Sequence, residues 1–411
     1  MNIWIISLFD PTPLDEPIYP RFMGIAHAAV KRDYYVTHFT STFRHTTKKQ
    51  RFNSTKLHRE NDNYDVVFIK SMAYKKNMLP KRFIAHWDFA KKLIKKMDTI
   101  PKPDAIFISM PPLSTVDLVS KWGRKNSVPV IIDVIDPWPD SFIKDVPGYL
   151  KKTAKRVLLP FYSKLKRSFA NSSAITAISN GYLEWASEYH TENMKTSCFY
   201  LAMDFAETQQ QYQQLNHADI NKKTNALRLI YAGSLASSYD IPTIVEAAKV
   251  LDKKHPGKTE FIITGNGPQK DIILDAMKEI PNLKYLGWVS KEELFKQYYL
   301  ADIGLIQHKN SLTQTITYKF FNYLSAGLVL LNSLQTEMAD LIEKEKLGLN
   351  NLEGDSSKLI ENIECFLNDP SLLKQYKRNA LSFASDKGDS NIVYDRLVSF
   401  IEDIGKYNLR V

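Results

Sequence analysis

The chain has 411 residues, 44% of them hydrophobic and 12% aromatic, with a formal net charge of +10 at pH 7. Such a length buries two cores of roughly 200 residues each, and the aromatic share excludes a disordered chain. The only cysteines, Cys198 and Cys365, fall in different predicted domains, which excludes a disulfide framework and fits a reducing compartment.

The N-terminal run from Met1 to Phe9 is apolar, has no basic leader and meets Asp10-Pro11 too early for a signal peptide, so it reads as a buried strand over Ile3 to Leu8. Further strands are expected at Val36 to Thr40, Val66 to Lys70, Ala105 to Ser109, Val130 to Val134 and Ala174 to Ile178, with helical patterns between most of them. That alternation predicts a doubly wound sheet. No run reaches the ~18 to 20 apolar residues of a membrane-spanning helix, so a cytoplasmic protein, soluble or peripheral to the membrane, is expected.

The positive charge concentrates in this first half. Between Arg44 and Lys96 there are 15 Lys or Arg against 4 Asp or Glu, and between Lys144 and Arg167 there are 8 against 1. The second cluster interleaves Lys151, Lys152, Lys155 and Arg156 with Leu150, Val157, Leu158, Phe161 and Leu165. This suits a helix lying on an anionic bilayer, and equally an amphipathic helix packed on its own core. No zinc spacing or recognised RNA-binding pattern points to nucleic acid.

The Gln- and Asn-rich stretch from Glu207 to Asn225 interrupts the alternation and marks a domain boundary. Residues 1–204 form one predicted domain, 205–226 a polar linker, 227–385 a second domain, and 386–411 a C-terminal helix able to return to the first. In the second domain the buried strand Leu227 to Ala232 breaks at Gly233-Ser234, and Phe261 to Thr264 breaks at Gly265-Asn266-Gly267-Pro268; each break precedes a helical pattern. A glycine turn at a strand's carboxyl end beside a helix N-terminus is a place where backbone N–H groups and the helix dipole favour a phosphate.

Tyr231-Ala-Gly-Ser-Leu235, Ile263-Thr-Gly-Asn-Gly-Pro268, Leu286-Gly-Trp-Val289, Ala301-Asp-Ile-Gly-Leu305, Tyr318-Lys-Phe-Phe-Asn-Tyr-Leu-Ser-Ala-Gly327 and Glu337-Met-Ala-Asp-Leu-Ile342 follow one another in that order. In order and spacing they resemble the donor-binding half of family 4 glycosyltransferases. In the first half, Ser109-Met-Pro-Pro-Leu113, Asp133 to Ser141 and Ile178-Ser-Asn-Gly181 resemble the exopolysaccharide and capsule branch of that family. The resemblance implies an α/β protein of the GT-B fold, two doubly wound Rossmann-like domains facing across a cleft. It implies retaining, metal-independent transfer of a hexosyl or N-acetylhexosaminyl unit, from a UDP-sugar in preference to a GDP-sugar, with no cofactor. The implied acceptor is a polyprenyl-diphosphate-linked saccharide or another cell-envelope glycan, met at an anionic membrane surface on the inner face. The chain has no Asp-x-Asp pair to hold a divalent cation against a diphosphate, so backbone amides and side chains must meet the leaving-group charge.

The resemblance and the residue types together nominate the site. Gly233 and Ser234 let backbone approach a phosphate, and Gly265, Asn266 and Gly267 wall the nucleobase or ribose. Lys319, beside Tyr318 at the start of a helix, faces the diphosphate. Family members commonly carry two carboxylates eight positions apart where Gln314 and Asn322 stand here, and a basic residue near the Gly-Ser turn where Ala236, Ser237, Ser238 and Tyr239 stand. Asn322 keeps a hydrogen bond to ribose without the strength of a charge, and Glu337 provides an acidic group near the donor. On the acceptor side, Asp136 before Pro137-Trp138-Pro139 is placed to orient the acceptor hydroxyl, and His45 with Arg51 to meet a pyrophosphate. Two other readings stay open: a non-catalytic GT-B subunit that has lost donor chemistry, favoured by Gln314, Asn322 and the missing basic residue, and a UDP-sugar 2-epimerase.

Overall fold

Every long apolar run of the first half becomes a strand sheltered by helices. The computed structural model describes residues 1–15, 21–75, 80–144, 146–215, 226–309 and 314–407. They divide into two units, Met1–Tyr200 with the chain from Ser390 onward, and Leu201–Asp389.

The first unit runs β1 (Asn2–Ile6), α1 (Arg21–Val30), β2 (Tyr35–Ser41), β3 (Phe43–Arg44), β4 (Lys49–Gln50), β5 (Lys56–Asn61), β6 (Tyr64–Ile69), α2 (Pro80–Met97), β7 (Ala105–Met110), α3 (Leu113–Asn126), β8 (Val130–Val134), α4 (Gly148–Val157), α5 (Leu159–Ala170), β9 (Ala174–Ala177), α6 (Asn180–Ser187) and β10 (Lys195–Cys198). Its sheet has the order β10-β9-β8-β7-β1-β2-β6-β5, parallel except for the antiparallel pair β5 and β6. Parallel strands covered on both faces carry continuous apolar runs, which is why β6, β7 and β8 are buried at every position. By contrast β5 is the exposed, charged edge, Lys-Leu-His-Arg-Glu-Asn. It has no apolar alternation to announce it, and its charges discourage a further strand from adding there.

A buried ion pair ties the strand ends together. Arg21, 1% exposed, donates from Nε and Nη2 to Asp133 at 3.0 and 3.1 Å, and from Nη1 to the carbonyls of Phe199 and Tyr200 at 3.1 Å each. The Thr176 hydroxyl completes the Asp133 carboxylate at 2.7 Å. Charges are tolerated in a core when each is paired and its remaining lone pairs are met. The network anchors the end of β8, and with it the turn that carries Asp136.

The second unit runs α7 (Phe205–Gln214), β11 (Leu227–Ala232), α8 (Ile241–Lys254), β12 (Thr259–Thr264), α9 (Lys270–Ala276), β13 (Leu283–Gly287), α10 (Lys291–Leu300), β14 (Ile303–Ile306), α11 (Tyr318–Ser325), β15 (Val329–Asn332), α12 (Glu337–Lys344), β16 (Gly348–Asn350), α13 (Ser356–Asn368) and α14 (Pro370–Lys387). The sheet order β13-β12-β11-β14-β15-β16 is all parallel. That is the doubly wound dinucleotide-fold order, whose switch point lies between β11 and β14. The last helix, α15 (Ser390–Tyr407), lies in the first unit against α1. Arg32 pairs with Asp395 at 2.6 Å there, and Gly24 leaves room for the Tyr394 ring, which a Cβ would meet at 2.4 Å.

Two expectations need correction. Residues 205–214 are not linker but the helix α7, capped by Asp204 and held by Tyr212, whose ring lies 5.8 and 5.5 Å from Phe295 and Tyr299. Its apolar anchors are hidden among glutamines; the rest of the stretch, 216–225, lies outside the described residues. The basic region around residues 149–169 is also not one helix. It breaks at Leu158, because Pro160 at the second position of α5 has no N–H for an uninterrupted helix. Among the described residues no helix is long and apolar enough to cross a membrane.

Candidate functional site

In the second unit the site grows from α11. Tyr323 and Lys319 are four residues apart and share one face of the helix. The backbone N–H of Ala232, the last residue of β11, donates to the Tyr323 hydroxyl at 2.9 Å. Gly304 makes that crossing possible, since a Cβ there would lie 2.3 Å from the Tyr323 ring. With the helix pinned to the end of β11, Lys319 extends over the turn that follows it. A Cβ on Gly233, whose φ is +142°, would lie 2.7 Å from Lys319 Cε and 3.0 Å from its Nζ.

Among the described residues Lys319 has neither an ion-pair nor a hydrogen-bond partner. Its Nζ is buried and lies 3.8 Å from the centre of the Tyr231 ring and 4.3 Å from that of Tyr239. Two aromatic faces attract the cation but leave its three donors unmet. Burial therefore lowers its pKa from 10.5 to about 7. His308, which follows β14 and so lies across the switch point from Gly233, packs its ring 4.7 Å from Tyr239. Both of its ring nitrogens are buried without partners among the described residues, and burial, then the charge of Lys319, hold its pKa at about 3. The cage thus contains one cation whose unmet donors call for an anion. Sequence reasoning missed His308, Tyr231 and the caging role of Tyr239, because they reach Lys319 from three separate segments.

The glycines have a structural reason as well. A Cβ on Gly265 would overlap the carbonyl oxygen of Gly233 at 1.7 Å, and one on Gly267 would meet the carbonyl of Leu235 at 2.6 to 2.8 Å. These positions let the two turns pack against each other, with Asn266 exposed at the rim and its Oδ1 accepting from Gly267 N at 2.8 Å. Ser234 is exposed, and its hydroxyl accepts from Ala236 N at 3.2 Å. Gly233→Ala should push Lys319 aside and lower affinity for a diphosphate about tenfold, with a destabilisation of about 1 kcal/mol from the positive φ. Calorimetry with UDP and a thermal melt read the two effects separately.

One expectation about helix N-termini changes. The N-terminus of α8 is occupied by the chain's own carboxylate: Asp240 accepts from Thr243 N at 3.4 Å, from the Thr243 hydroxyl at 2.7 Å and from Gly354 N at 2.8 Å. An acidic cap satisfies that terminus and disfavours a second anion. The start of α11, whose cap Thr317 makes no side-chain capping bond, carries Tyr318 and Lys319 instead. Asn322 lies one turn further along it and is half-buried, Gln314 is exposed ahead of it, and Glu337 is the first residue of α12. The Thr336 hydroxyl donates to the carbonyl of Thr315 at 2.7 Å, which ties the α12 terminus to the segment leading into α11. Of the polar run leading to Lys319, residues 310–313 lie outside the described residues.

The first unit carries a separate cluster near its own switch point, between β1 and β7. Asp136 stands at the carboxyl end of the sheet and is held by its own turn: its carboxylate accepts from Trp138 Nε1 at 2.9 Å and from the Ser141 hydroxyl. Arg82 lies 5.0 Å from the Trp138 ring and 5.7 Å from that of Phe9, within electrostatic reach of Asp136 and Tyr74. Arg82 did not stand out in the sequence from its many basic neighbours. Asp10, just beyond β1, was also missed; burial, opposed by Arg21, raises its carboxyl to about 7.

His45 and Arg51 both have partners within the first unit. His45 Nδ1 lies 2.5 Å from the Tyr74 hydroxyl, and burial, with Lys48 and Arg82 nearby, lowers its pKa to about 4, so it is neutral at pH 7. Arg51 pairs with Asp15 at 2.6 Å and donates to the carbonyl of Ser41 at 3.2 Å. Its guanidinium thereby ties the Asp15 carboxylate to the end of β2. Lys151, Lys152, Lys155 and Arg156 are all exposed on α4, a helix with no buried residue. Among the described residues no three His, Cys, Asp or Glu side chains group to hold a metal ion.

Comparison with known proteins agrees with this geometry. Residues 226–369 match the family model for glycosyl transferases group 1. The chain is 26% identical over 154 residues to an alpha-monoglucosyldiacylglycerol synthase of Acholeplasma laidlawii, covering 37% of each chain. It is 24% identical over 172 residues to a chitobiosyldiphosphodolichol beta-mannosyltransferase of Candida albicans, covering 40% of this chain and 37% of that one. The aligned segments thus span well under half the length of these relatives. Among solved structures, WaaG, a glycosyltransferase involved in lipopolysaccharide biosynthesis, superposes with a TM-score of 0.64 at 14% identity, covering 98% of this chain and 99% of that one. A sucrose-phosphate synthase from Thermosynechococcus elongatus superposes with a TM-score of 0.70 at 11% identity, covering 98% of both chains. HepE of Anabaena, in complex with UDP, gives 0.65 at 11%, covering 98% and 99%. The fold is α/β with two parallel-sheet, Rossmann-like halves, that of the GT-B glycosyltransferases.

Proposed function

From a second unit that matches the group 1 glycosyl transferases, we propose that this protein transfers a sugar from a nucleoside diphosphate donor, UDP-linked in preference to GDP-linked, to a lipid-linked cell-envelope glycan with retention at the anomeric carbon. The observation that carries the reading is the buried ammonium of Lys319, unpartnered among the described residues, above Gly233 at the switch point of a dinucleotide-type sheet. A doubly negative diphosphate satisfies its donors and restores its charge, and the same contact strengthens as the leaving group gains charge in the transition state. Asn322, Glu337 and the rim residues Ser234 and Asn266 contact ribose, sugar and base in this reading, with Gln314 at the edge.

The acceptor hydroxyl attacks the anomeric carbon from the face the diphosphate leaves. The new C–O bond forms as the bond to the β-phosphate oxygen breaks, and the hydroxyl proton passes to that departing oxygen. Little is then asked of a protein base, so Asp136, held by Trp138 and Ser141, orients the acceptor, and Arg82 offsets the charge of its phosphate. A thermal-shift panel of nucleotide sugars tests the donor half. A bound donor at a hundredfold excess over its Kd adds about 2.7 kcal/mol, and a panel with no response overturns the reading in favour of a subunit without donor chemistry.

The membrane half rests on α4. Leu150, Thr153, Ala154 and Val157 share one face of the helix, and Lys151, Lys152 and Lys155 the other, with Arg156 at the border; Tyr149 and Val157 are 83% and 72% exposed. A helix that buries no residue in its own protein, yet is sharply two-faced, suits an interfacial position on an anionic inner leaflet. Each basic residue near such a surface contributes about 1 kcal/mol, so replacing all four with Gln should weaken binding to anionic vesicles by at least about 100-fold. Unchanged vesicle binding in a sedimentation assay would rule the surface out.

A further inference from the structure

Between α2, α3 and α5 of the first unit lies a cavity of about 90 Å³ that neither Asp136 nor Arg82 fills. Its walls are Phe83 and Trp87 from α2, Pro112 and Leu113 at the start of α3, Trp138, and Phe161 from α5. Phe83 lies 6.3 Å from Trp138, 5.9 Å from Phe142 and 5.7 Å from Phe161, so the rings form one aromatic lining. His86 adds a neutral wall: its Nε2 is buried without a partner among the described residues, and burial holds its pKa at about 3.

Cations lie at and beside these walls. Lys164 lines the cavity, Lys91 lies 4.0 Å from the Trp87 ring, and Arg82 lies 5.0 Å from the Trp138 ring. The neighbouring carboxylates are engaged, Asp136 with Trp138 and Ser141, and Asp88 with Lys92 and the N–H of Met72. Exposed apolar side chains continue outward on the same elements: Ile84 and Trp87 on α2, each 49% exposed, and Leu159 on α5, 58% exposed, next in sequence to α4. An apolar, aromatic pocket whose charged lining residue among those described is Lys164, with Arg82 and Lys91 against its wall rings, complements a molecule with a hydrocarbon tail and an anionic head.

We propose that this cavity takes the head-proximal hydrocarbon of a phosphate-headed membrane lipid, with the phosphate at Arg82 and the remainder of the tail passing out along Trp87 and Leu159 to the bilayer. An apolar cavity of about 150 Å³ suffices for benzene, so this one takes a few carbons and relies on the exposed apolar path for the rest. The assignment rests on the lipid-acceptor reading above and gives it a location.

Farnesyl phosphate, kept below its micelle concentration, is the probe, and tryptophan fluorescence and calorimetry on the full chain are the readouts. Saturable binding at least 100-fold tighter than inorganic phosphate is expected. Ser114→Phe, which fills the cavity from α3, should weaken it at least tenfold, and Trp87→Ser, at a half-exposed wall and therefore tolerant of substitution, should do the same. Both variants should keep the parent melting temperature and UDP affinity. Farnesyl phosphate bound no better than inorganic phosphate, or bound equally by parent and both variants, would overturn the assignment. Cavity-dependent binding in a protein that binds no nucleotide sugar would leave the cavity standing and overturn the transferase reading alone.

Discussion

Lys319→Met is expected to weaken binding of a UDP-sugar by about 10- to 150-fold while leaving the fold intact. Hydrogen bonds to charged groups contribute about 1.5 to 3 kcal/mol each, and tenfold in affinity corresponds to about 1.4 kcal/mol; Lys319 supplies the ammonium of the cage formed by Tyr231, Tyr239 and His308. Methionine retains the length and the apolar stem, so it fills the space over Gly233 without the charge. The ligand-free protein should if anything be stabilised, because an unpartnered buried cation is removed. Isothermal titration of parent and variant reads both predictions, with the melting temperature as control. Equal affinities would mean that the diphosphate is held elsewhere.

The second large effect is on pH. Burial lowers Lys319 from 10.5 to about 7, so above pH 7 the ligand-free protein holds it mostly neutral, and a bound diphosphate raises its pKa again. Donor binding then takes up a proton, and affinity falls with a slope that approaches tenfold per pH unit above 7, about 50-fold in all between pH 7 and pH 9. A UDP-sugar is the proper ligand, since its diphosphate diester does not titrate in that window. For stability the sign is the reverse of a salt-bridged lysine: between about 7 and 10.5 the unfolded chain binds more protons than the folded one, so ligand-free stability rises with pH across that window. Titrations in two buffers of different ionisation enthalpy at pH 8 would measure the proton uptake directly. A flat affinity from pH 7 to 9 would contradict the cage's effect on Lys319.

Much of the architecture was readable because parallel strands buried on both faces must be apolar throughout. Val130 to Val134 is a strand in sequence and structure alike, and the glycine breaks after Ala232 and Thr264 mark where β11 and β12 end. Lys319 could be singled out because it opens a helix whose following residues are core. Its partners could not be, since Tyr231, Tyr239 and His308 converge only once the strand order brings β11 beside β14. The ion pair of Arg51 was hidden for the same reason: its partner, Asp15, is 36 residues away, and a run of basic residues does not reveal which member is already paired. The isolation of α4 was likewise invisible, because an amphipathic sequence looks the same whether its apolar face meets a core or water. Pro160, by contrast, was a visible break that the amphipathic pattern outweighed.

Nucleotide release is the measurement closest to the central claim. The protein is incubated with UDP-sugars and vesicles containing prenyl-phosphate-linked saccharide, and free UDP and the extended glycolipid are quantified together. The account predicts UDP and product in equal amounts, dependent on the acceptor and reduced at least about tenfold in Lys319→Met. UDP-sugar that binds through Lys319 yet stays intact with every acceptor offered would contradict it, and would leave a nucleotide-binding protein without transferase chemistry.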